Sequence, residues 1–233
     1  AGTDLEGASA VLVTGEGVTA KLARPEESGT RRGAKAAKKG DAARASQTVR
    51  ISIALAPDAE LGERDLRIVT AGGVSNRSRF VVGQLPEVGE VEPSSVEGPA
   101  QRLESLPVLV NGQILPGDVD FFRFAARAGQ TLVCEVQARA LLPYIADAVP
   151  GWLQATLTLR DAGGGELQHV DDYRFQPDPV LFFQVPRDGE YLLEIKDALH
   201  RGREDMVYRL SIGQRPYLTH VFPLGVPLQD REL

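Results

Sequence analysis

Residues that usually build catalytic and disulfide-bonded sites are scarce in this sequence. Among its 233 residues there are one cysteine, one methionine, one tryptophan and three histidines. A single cysteine excludes an intramolecular disulfide. The sequence also has no H-E-x-x-H pattern, no C-x-x-C pair, no G-x-S-x-G elbow and no glycine-rich phosphate loop. We therefore expect no catalytic residues and no enzyme activity.

Long apolar runs and a surplus of positive charge are missing as well. No stretch approaches the ~18 consecutive apolar residues of a membrane span, so we expect no membrane insertion. The net charge is −6. Since a nucleic-acid-binding protein shows a concentrated basic face, nucleic acid is not an expected partner. With 42% hydrophobic and 25% charged residues, the composition is that of an ordinary globular protein.

One segment departs from this charge balance. Residues 31–44 read "RRGAKAAKKGDAAR", in which six side chains are positive and one is negative. We interpret residues 29–47 as an expanded, solvated loop between two strands. The alternative is an arm that binds polyanions, either nucleic acid or an acidic polysaccharide.

Strand patterns occupy most of the chain, and helix patterns are scarce. The segment 48–56 alternates apolar and polar residues, and shorter strand-like runs follow it up to Val82. From residue 86 to residue 105, prolines, glycines and carboxylates replace the alternation, which indicates a linker. After it, eight short strands recur at a spacing of about ten residues, which is typical of a β-sandwich or a jelly roll.

The stretch "LPGDVDFFRFAARAGQTLVCEV", residues 115–136, could be either a polar site or a pair of strands. Phe122 and Phe124 share one face of a strand, and the next strand carries Cys134 among apolar neighbours. Gly129 can adopt the positive φ that a tight turn between them needs. We therefore predict a β-hairpin that contributes half of a sandwich core. Asp118 and Asp120 are the residues that a hairpin leaves unexplained.

Several motifs in the second half of the chain resemble the bacterial pre-peptidase C-terminal domain. They occur in that family's order over residues 92–213, as "NGQI", "GDVDFFRF", "AGQTL", "LRDAGGG", "VDD", "DGEYLLEI" and "YRLSIG". The resemblance implies a small jelly-roll-like sandwich of the kind attached to secreted enzymes and large surface proteins. These domains are similar to the collagen-binding domains of clostridial collagenases.

The first part of the chain resembles an immunoglobulin-like module of the IPT/TIG kind. The matching text is "GTDLEGASAVLVTGEGV" followed by "LGERDLRIVTAGGVSNRSRFVVG", and the opening strand of that pattern is missing. The tail "YLTHVFPLG" is similar to the start of another such module. We therefore expect the chain to come from a repeating array.

These observations predict an all-β fold with two β-sandwich domains, an immunoglobulin-like domain followed by a jelly-roll-like one. The first sandwich takes residues 1–85, including the basic loop 29–47, and the linker takes residues 86–105. The second sandwich takes residues 106–214, and residues 215–233 form a tail that leads to a further module.

The acidic residues raise the question of calcium, which binds about six to eight oxygen ligands. Some collagen-binding relatives hold calcium near the linker before the first strand, partly through an acidic E-P-N-D-like segment. Here the matching text is "EPSSVEG", which keeps Glu92 but has Ser94 and Ser95 where Asn and Asp are expected. This difference weakens the implied site.

Calcium is accordingly the one cofactor that we consider. The candidate metal ligands are Asp118, Asp120, Glu92, Asp171 and Asp172. The alternative interpretation is that Asp118 and Asp120 cap the turn before a strand, and that Asp171 and Asp172 form a polar turn.

Three aromatic residues are candidates for binding a ligand by stacking on a sugar ring: Trp152, Tyr144 and Tyr173. The alternative is that the single tryptophan belongs to the core, since sandwiches commonly bury one.

We expect a noncatalytic accessory, adhesion or spacer segment of a secreted or surface-bound multidomain bacterial protein, because sandwiches carry function in their edge loops. Its location would be extracellular, periplasmic or at the cell surface. Its partners would be neighbouring domains of the same polypeptide, and polysaccharide or extracellular protein. The alternatives are a calcium-supported carbohydrate- or matrix-binding module and a hydrolase fragment whose active site is assembled from distant positions.

Overall fold

The structure is a computed structural model that describes residues 1–23, 47–92, 100–141, 152–174 and 176–225. Its described residues form sixteen β-strands and no helix, so the predicted all-β fold class is confirmed. The chain divides into two compact units, Ala1–Gln84 and Leu85–Leu233. Each unit has its own sheets.

The described residues of the first unit form six short strands. These are β1 (Ala10–Val13), β2 (Val18–Leu22), β3 (Ile51–Leu55), β4 (Gly62–Thr70), β5 (Gly73–Val74) and β6 (Ser78–Val82). Strand β4 pairs antiparallel with β1, β5 and β6, and β2 pairs antiparallel with β3. Val18, Ile68 and Val82 are its buried apolar side chains among the described residues. The IPT/TIG assignment of this unit stays a prediction.

The predicted basic loop 29–47 falls between the two strands of the β2–β3 pair. Leu22 at the end of β2 lies opposite Ile51 at the start of β3. Gln47 forms an isolated bridge with Gly2. Residues 29–46 of this segment lie outside the described residues.

The second unit is a sandwich of two five-stranded sheets built from ten strands. These are β7 (Glu87–Gly89), β8 (Gln101–Arg102), β9 (Val108–Gln113), β10 (Asp120–Ala126), β11 (Thr131–Gln137), β12 (Ala155–Asp161), β13 (Glu166–Val170), β14 (Val180–Gln184), β15 (Gly189–Asp197) and β16 (Val207–Gly213). The β10 sheet has the order β13-β12-β15-β10-β8, and the β11 sheet has the order β14-β11-β16-β9-β7. From β9 onward the chain changes sheet at every connection except β12 to β13. The jelly-roll topology predicted from the sequence stays an interpretation of this strand order.

Alternating side chains fill the space between the two sheets. Phe122 and Phe124 of the β10 sheet and Cys134 and Val136 of the β11 sheet belong to one buried hydrophobic cluster. Burial raises the pKa of the Cys134 thiol to about 12, so this cysteine stays protonated and unreactive. The β-pattern of the sequence therefore identified the core-facing side chains correctly.

The predicted hairpin at residues 115–136 is wrong in its pairing. Strand β10 pairs with β15 and β8, whereas β11 pairs with β14 and β16. The turn between β10 and β11 has Gly129 at φ +81°, and it carries the chain from one sheet to the other. Alternation shows which face of a strand is buried, but it does not show which strand is the partner, and this is why the two strands were paired wrongly.

The segment predicted as a linker, residues 86–105, contributes an edge strand to each sheet. β7 pairs parallel with β9, and β8 pairs parallel with β10. Both strands are short and lie at sheet edges, where backbone hydrogen bonds suffice and no apolar alternation is needed. Their sequence therefore lacks the pattern that marks the other strands. Residues 93–99 between them lie outside the described residues.

Asp197 organises the loop that follows β15. The carboxylate is fully buried and accepts hydrogen bonds from the backbone amides of Gln154, Leu199 and Arg201 at 3.0 to 3.1 Å. The Arg201 guanidinium donates two more, at 2.7 and 2.8 Å. Burial opposes the charge, but these hydrogen bonds hold the pKa of Asp197 below its usual range.

Replacing this carboxylate should destabilise the second unit. We expect Asp197→Ala to lower its free energy of unfolding by about 3 kcal/mol, because three amides and a partly buried guanidinium lose their acceptor. Urea unfolding followed by the fluorescence of Trp152, which lies in this unit, measures the change. The matched control is Asp205→Ala, which removes an exposed ion pair with Arg203 and should cost less than about 1 kcal/mol. Equal losses in the two variants would contradict this role for Asp197.

Candidate functional site

Among the described residues, predicted metal ligands converge at the start of β10. Asp120 points into the sandwich and is 1% exposed. The phenol of Tyr208, on β16, lies 2.7 Å from Asp120 Oδ2 and 3.2 Å from Glu90 Oε2. A phenol has one proton to donate. The phenol of Tyr208 and the carboxyl groups of Asp120 and Glu90 therefore lie close together with few protons among them.

Glu90 reaches this place because β7 lies along the edge of the β11 sheet. Its backbone amide donates to the carbonyl of Asn111 at 3.0 Å. Its carboxylate accepts a hydrogen bond from the backbone amide of Gln113, whose nitrogen lies 2.9 Å from both Oε1 and Oε2. Two residues of β9 thus fix Glu90 beside Tyr208.

A glycine makes room for this arrangement. Gly112 on β9 lies directly opposite Tyr208 on β16. A Cβ atom at this position would overlap both the Tyr208 ring and the Glu90 carboxylate. Since a larger residue would displace one of these two groups, Gly112 is part of the site.

Together Glu90, Glu92 and Asp120 form a cluster that we call the carboxylate cluster. One carboxylate oxygen from each lies within 4.8 Å of the others. Glu92 is exposed, Glu90 is half-buried and Asp120 is buried. Asp120 Oδ1 is buried and has no hydrogen-bond partner among the residues that the structure describes. The cluster therefore offers hard oxygen ligands, including one that the protein leaves unsatisfied.

The electrostatics of the cluster follow from burial and from like charges. Burial raises the pKa of Asp120 to about 9, with further increases from the nearby charges of Glu90 and Asp118. Burial also raises the pKa of Glu90 and, well above its usual value, that of the Tyr208 phenol. Burial and the neighbouring carboxylates therefore favour the protonated form of Asp120 when no cation is bound.

The other predicted metal ligands lie elsewhere. Asp118 Oδ1 accepts the amide of Val119 at 3.0 Å and Oδ2 accepts that of Leu115 at 3.4 Å, so its carboxylate caps the turn before β10. Asp171 and Asp172 are exposed after β13 and are not in the carboxylate cluster. Of the predicted ligands, Asp120 and Glu92 are brought together, and the sequence analysis missed Glu90 and Tyr208.

The predicted aromatic ligand residues have different surroundings. Trp152 is 5% exposed and belongs to the core cluster, with the Arg203 guanidinium 5.4 Å from its ring centre. Its faces are therefore not available to a sugar ring. Tyr173 packs against Phe182 and Tyr217, with ring centres 5.8 and 5.9 Å away. Tyr144 lies outside the described residues.

Part of the chain is similar in sequence to a known protein. No family model matches the chain. It is 42% identical over 83 residues to a probable subtilase-type serine protease of Deinococcus radiodurans, and this match covers 36% of the chain. The matched part is 10% of the protease, so the chain spans only a small part of that relative's length.

The solved structures that are similar to the chain at low identity include two proteins of different kinds. One is the pre-peptidase C-terminal domain of a collagenase from Bacillus anthracis, with 15% identity and a TM-score of 0.36 over 53% of this chain and 99% of that one. The other is PliG of Aeromonas hydrophila, a periplasmic inhibitor of g-type lysozyme, with 11% identity and a TM-score of 0.32 over 55% of this chain and 96% of that one. The first names the family that the sequence motifs resemble.

Among the described residues, no helix has the length and apolar character needed to cross a membrane.

The buried carboxyl of Asp120 should make stability depend on pH. Because its pKa in the folded protein, about 9, is above its value of about 4 in an unfolded chain, its contribution is fully present below about pH 4 and is lost as the pH rises towards 9. In EDTA, we expect the free energy of unfolding of the second unit to fall between pH 5 and pH 9. In Asp120→Asn, which cannot titrate, this fall should be smaller. Identical pH slopes in the two proteins would show that Asp120 ionises normally.

Proposed function

We propose that the chain is a noncatalytic accessory segment of a secreted multidomain bacterial protein, and that it spaces or docks neighbouring domains. The observation that supports this most is the match of 83 residues to one tenth of a much longer probable protease. A segment of that size in a larger enzyme is typical of an attached domain. The sandwich agrees with this role, because its inward side chains form a core and its edges carry the polar features.

The proposal places the protein outside the cell, in the periplasm or on the cell surface. Its partners are the neighbouring domains of the same polypeptide, together with an extracellular polysaccharide or protein. The protease relative supports a secreted origin. Catalysis is assigned to other parts of the polypeptide.

Deletion in the parent polypeptide tests the accessory role. Removing the segment that corresponds to this chain should leave the turnover of a short peptide substrate unchanged, because the chain supplies no reacting group. It should change the cleavage of large substrates or the retention of the protein at the cell envelope. The isolated chain should also remain unlabelled by a serine-directed fluorophosphonate. Loss of short-peptide turnover in a folded deletion variant, or labelling of the isolated chain, would contradict the proposal.

A second proposed function, which the carboxylate cluster favours, is weak calcium binding. Glu90, Glu92 and Asp120 provide carboxylate oxygens, the ligands that calcium prefers. The unsatisfied Oδ1 of Asp120 is the feature that fits a cation best, because coordination would satisfy a buried acceptor that otherwise requires a proton. When bound, calcium would supply positive charge between β7 and β10 and would hold the edge strand to the sandwich.

Calcium should therefore stabilise the wild-type chain. For a weak site with a Kd on the order of 10⁻⁴ to 10⁻³ M, calcium at ten times the Kd adds about 1.4 kcal/mol to the free energy of unfolding. The increase should disappear in Asp120→Asn and persist in Asp171→Asn, which lies outside the cluster. Urea unfolding with calcium, and with magnesium at equal ionic strength, measures it. An equal increase in the free energy of unfolding of all three proteins would mean that calcium acts as a general salt and not through the carboxylate cluster.

A further inference from the structure

The chain that follows β16 lies against the outward face of the β11 sheet. Arg215 forms an ion pair with Glu135, whose side chain points outward from β11 because its neighbours Cys134 and Val136 belong to the core. Both charged side chains are less than a quarter exposed. The ion pair is therefore partly shielded from water, unlike an ordinary surface pair.

Three aromatic rings continue this contact. The ring of Tyr217 lies edge-on to Phe182, with centres 5.2 Å apart and planes at 79°, and edge-on to Tyr173, with centres 5.9 Å apart and planes at 90°. Phe182 projects outward from β14, since its neighbour Leu181 is fully buried. Such edge-to-face pairs are attractive beyond the apolar area that they bury.

The Arg215 guanidinium links the ion pair to the rings. Its carbon lies 5.7 Å from the centre of the Tyr217 ring, a distance at which a cation is attracted to an aromatic face. Burial raises the pKa of the Tyr217 phenol, and the Glu135 carboxylate raises it further. Tyr217 therefore contacts the aromatic rings and also lies within the electrostatic influence of the Arg215–Glu135 ion pair.

We infer that Arg215 and Tyr217, seated on Glu135, Phe182 and Tyr173, form an exit clamp that fixes where the chain leaves the sandwich. The contacts end abruptly, because Leu218 is 77% exposed, Phe222 93% and Leu224 92%. The clamp thus holds residues 215–217 to the sheet and presents the apolar side chains beyond them to the surroundings. It deepens the proposed accessory role, on which its biological meaning rests, since a fixed exit sets the direction of the segment that follows.

A spin label at residue 218 tests the clamp on the 233-residue chain. The variant Leu218→Cys is labelled with a nitroxide, and Cys134 does not react in the folded protein because it is fully buried. Because residue 218 is exposed but directly follows the held Tyr217, we expect a label that is partly restricted and clearly less mobile than in urea. Adding Phe182→Ala removes the Phe182–Tyr217 ring pair and should raise the ratio of mobile to immobilised label by about two- to tenfold. Adding Tyr217→Ala should raise it further.

The matched control is Phe222→Ala, which removes an exposed ring outside the clamp and should leave the spectrum unchanged. Trp152 fluorescence verifies that every variant keeps a folded sandwich. The inference is overturned if the label in the parent is as mobile as in urea, or if Phe182→Ala and Tyr217→Ala leave the spectrum as it was. The result is independent of the deletion experiment on the parent polypeptide, so the clamp and the accessory role can fail separately.

Discussion

The hydrogen bonds of one buried phenol connect the parts of the second unit. Tyr208 belongs to a strand of the β11 sheet, Asp120 begins a strand of the β10 sheet, and Glu90 follows the edge strand β7. Because all three groups meet in the interior, the two sheets and the segment before them are joined by polar contacts as well as by apolar packing. Moving one sheet relative to the other would separate Tyr208 from Asp120, so this network favours the observed arrangement.

The same network carries a chemically unusual feature. One oxygen of Asp120 has no hydrogen-bond partner in the described part of the chain, and burial favours the protonated form of this carboxyl group. A proton and a cation are alternative ways to neutralise the same carboxylate. The proposed calcium binding and the predicted pH dependence of stability would therefore both follow from a single buried group. The exit clamp is separate from this network, because it is built on the outward face of the β11 sheet by different side chains.

The sequence allowed the all-β class, the core-facing residues and two of the three cluster carboxylates to be predicted. Phe122 and Cys134 follow from alternation, and Asp120 was singled out because a strand did not explain it. Glu90 was missed because its segment has no periodicity and its partner Tyr208 is 118 positions away. The pairing of β10 was missed for the same physical reason, since local patterns record burial and not long-range contacts. Tyr208 lies within the "YRLSIG" motif and Gly112 within the "NGQI" motif, both of which carried the family resemblance. These motifs were the sequence signal from which the two residues could have been identified.

The ionisation of Asp120 is the most direct measure of this account. Carbon-13 NMR of the aspartate side-chain carboxyl groups, with Asp120→Asn for assignment, can follow its titration in the metal-free chain. The account predicts a midpoint of about 9. A midpoint near the ordinary aspartate value of about 4 would contradict it, because Asp120 would then be charged and solvated rather than buried between the edge strand and the core.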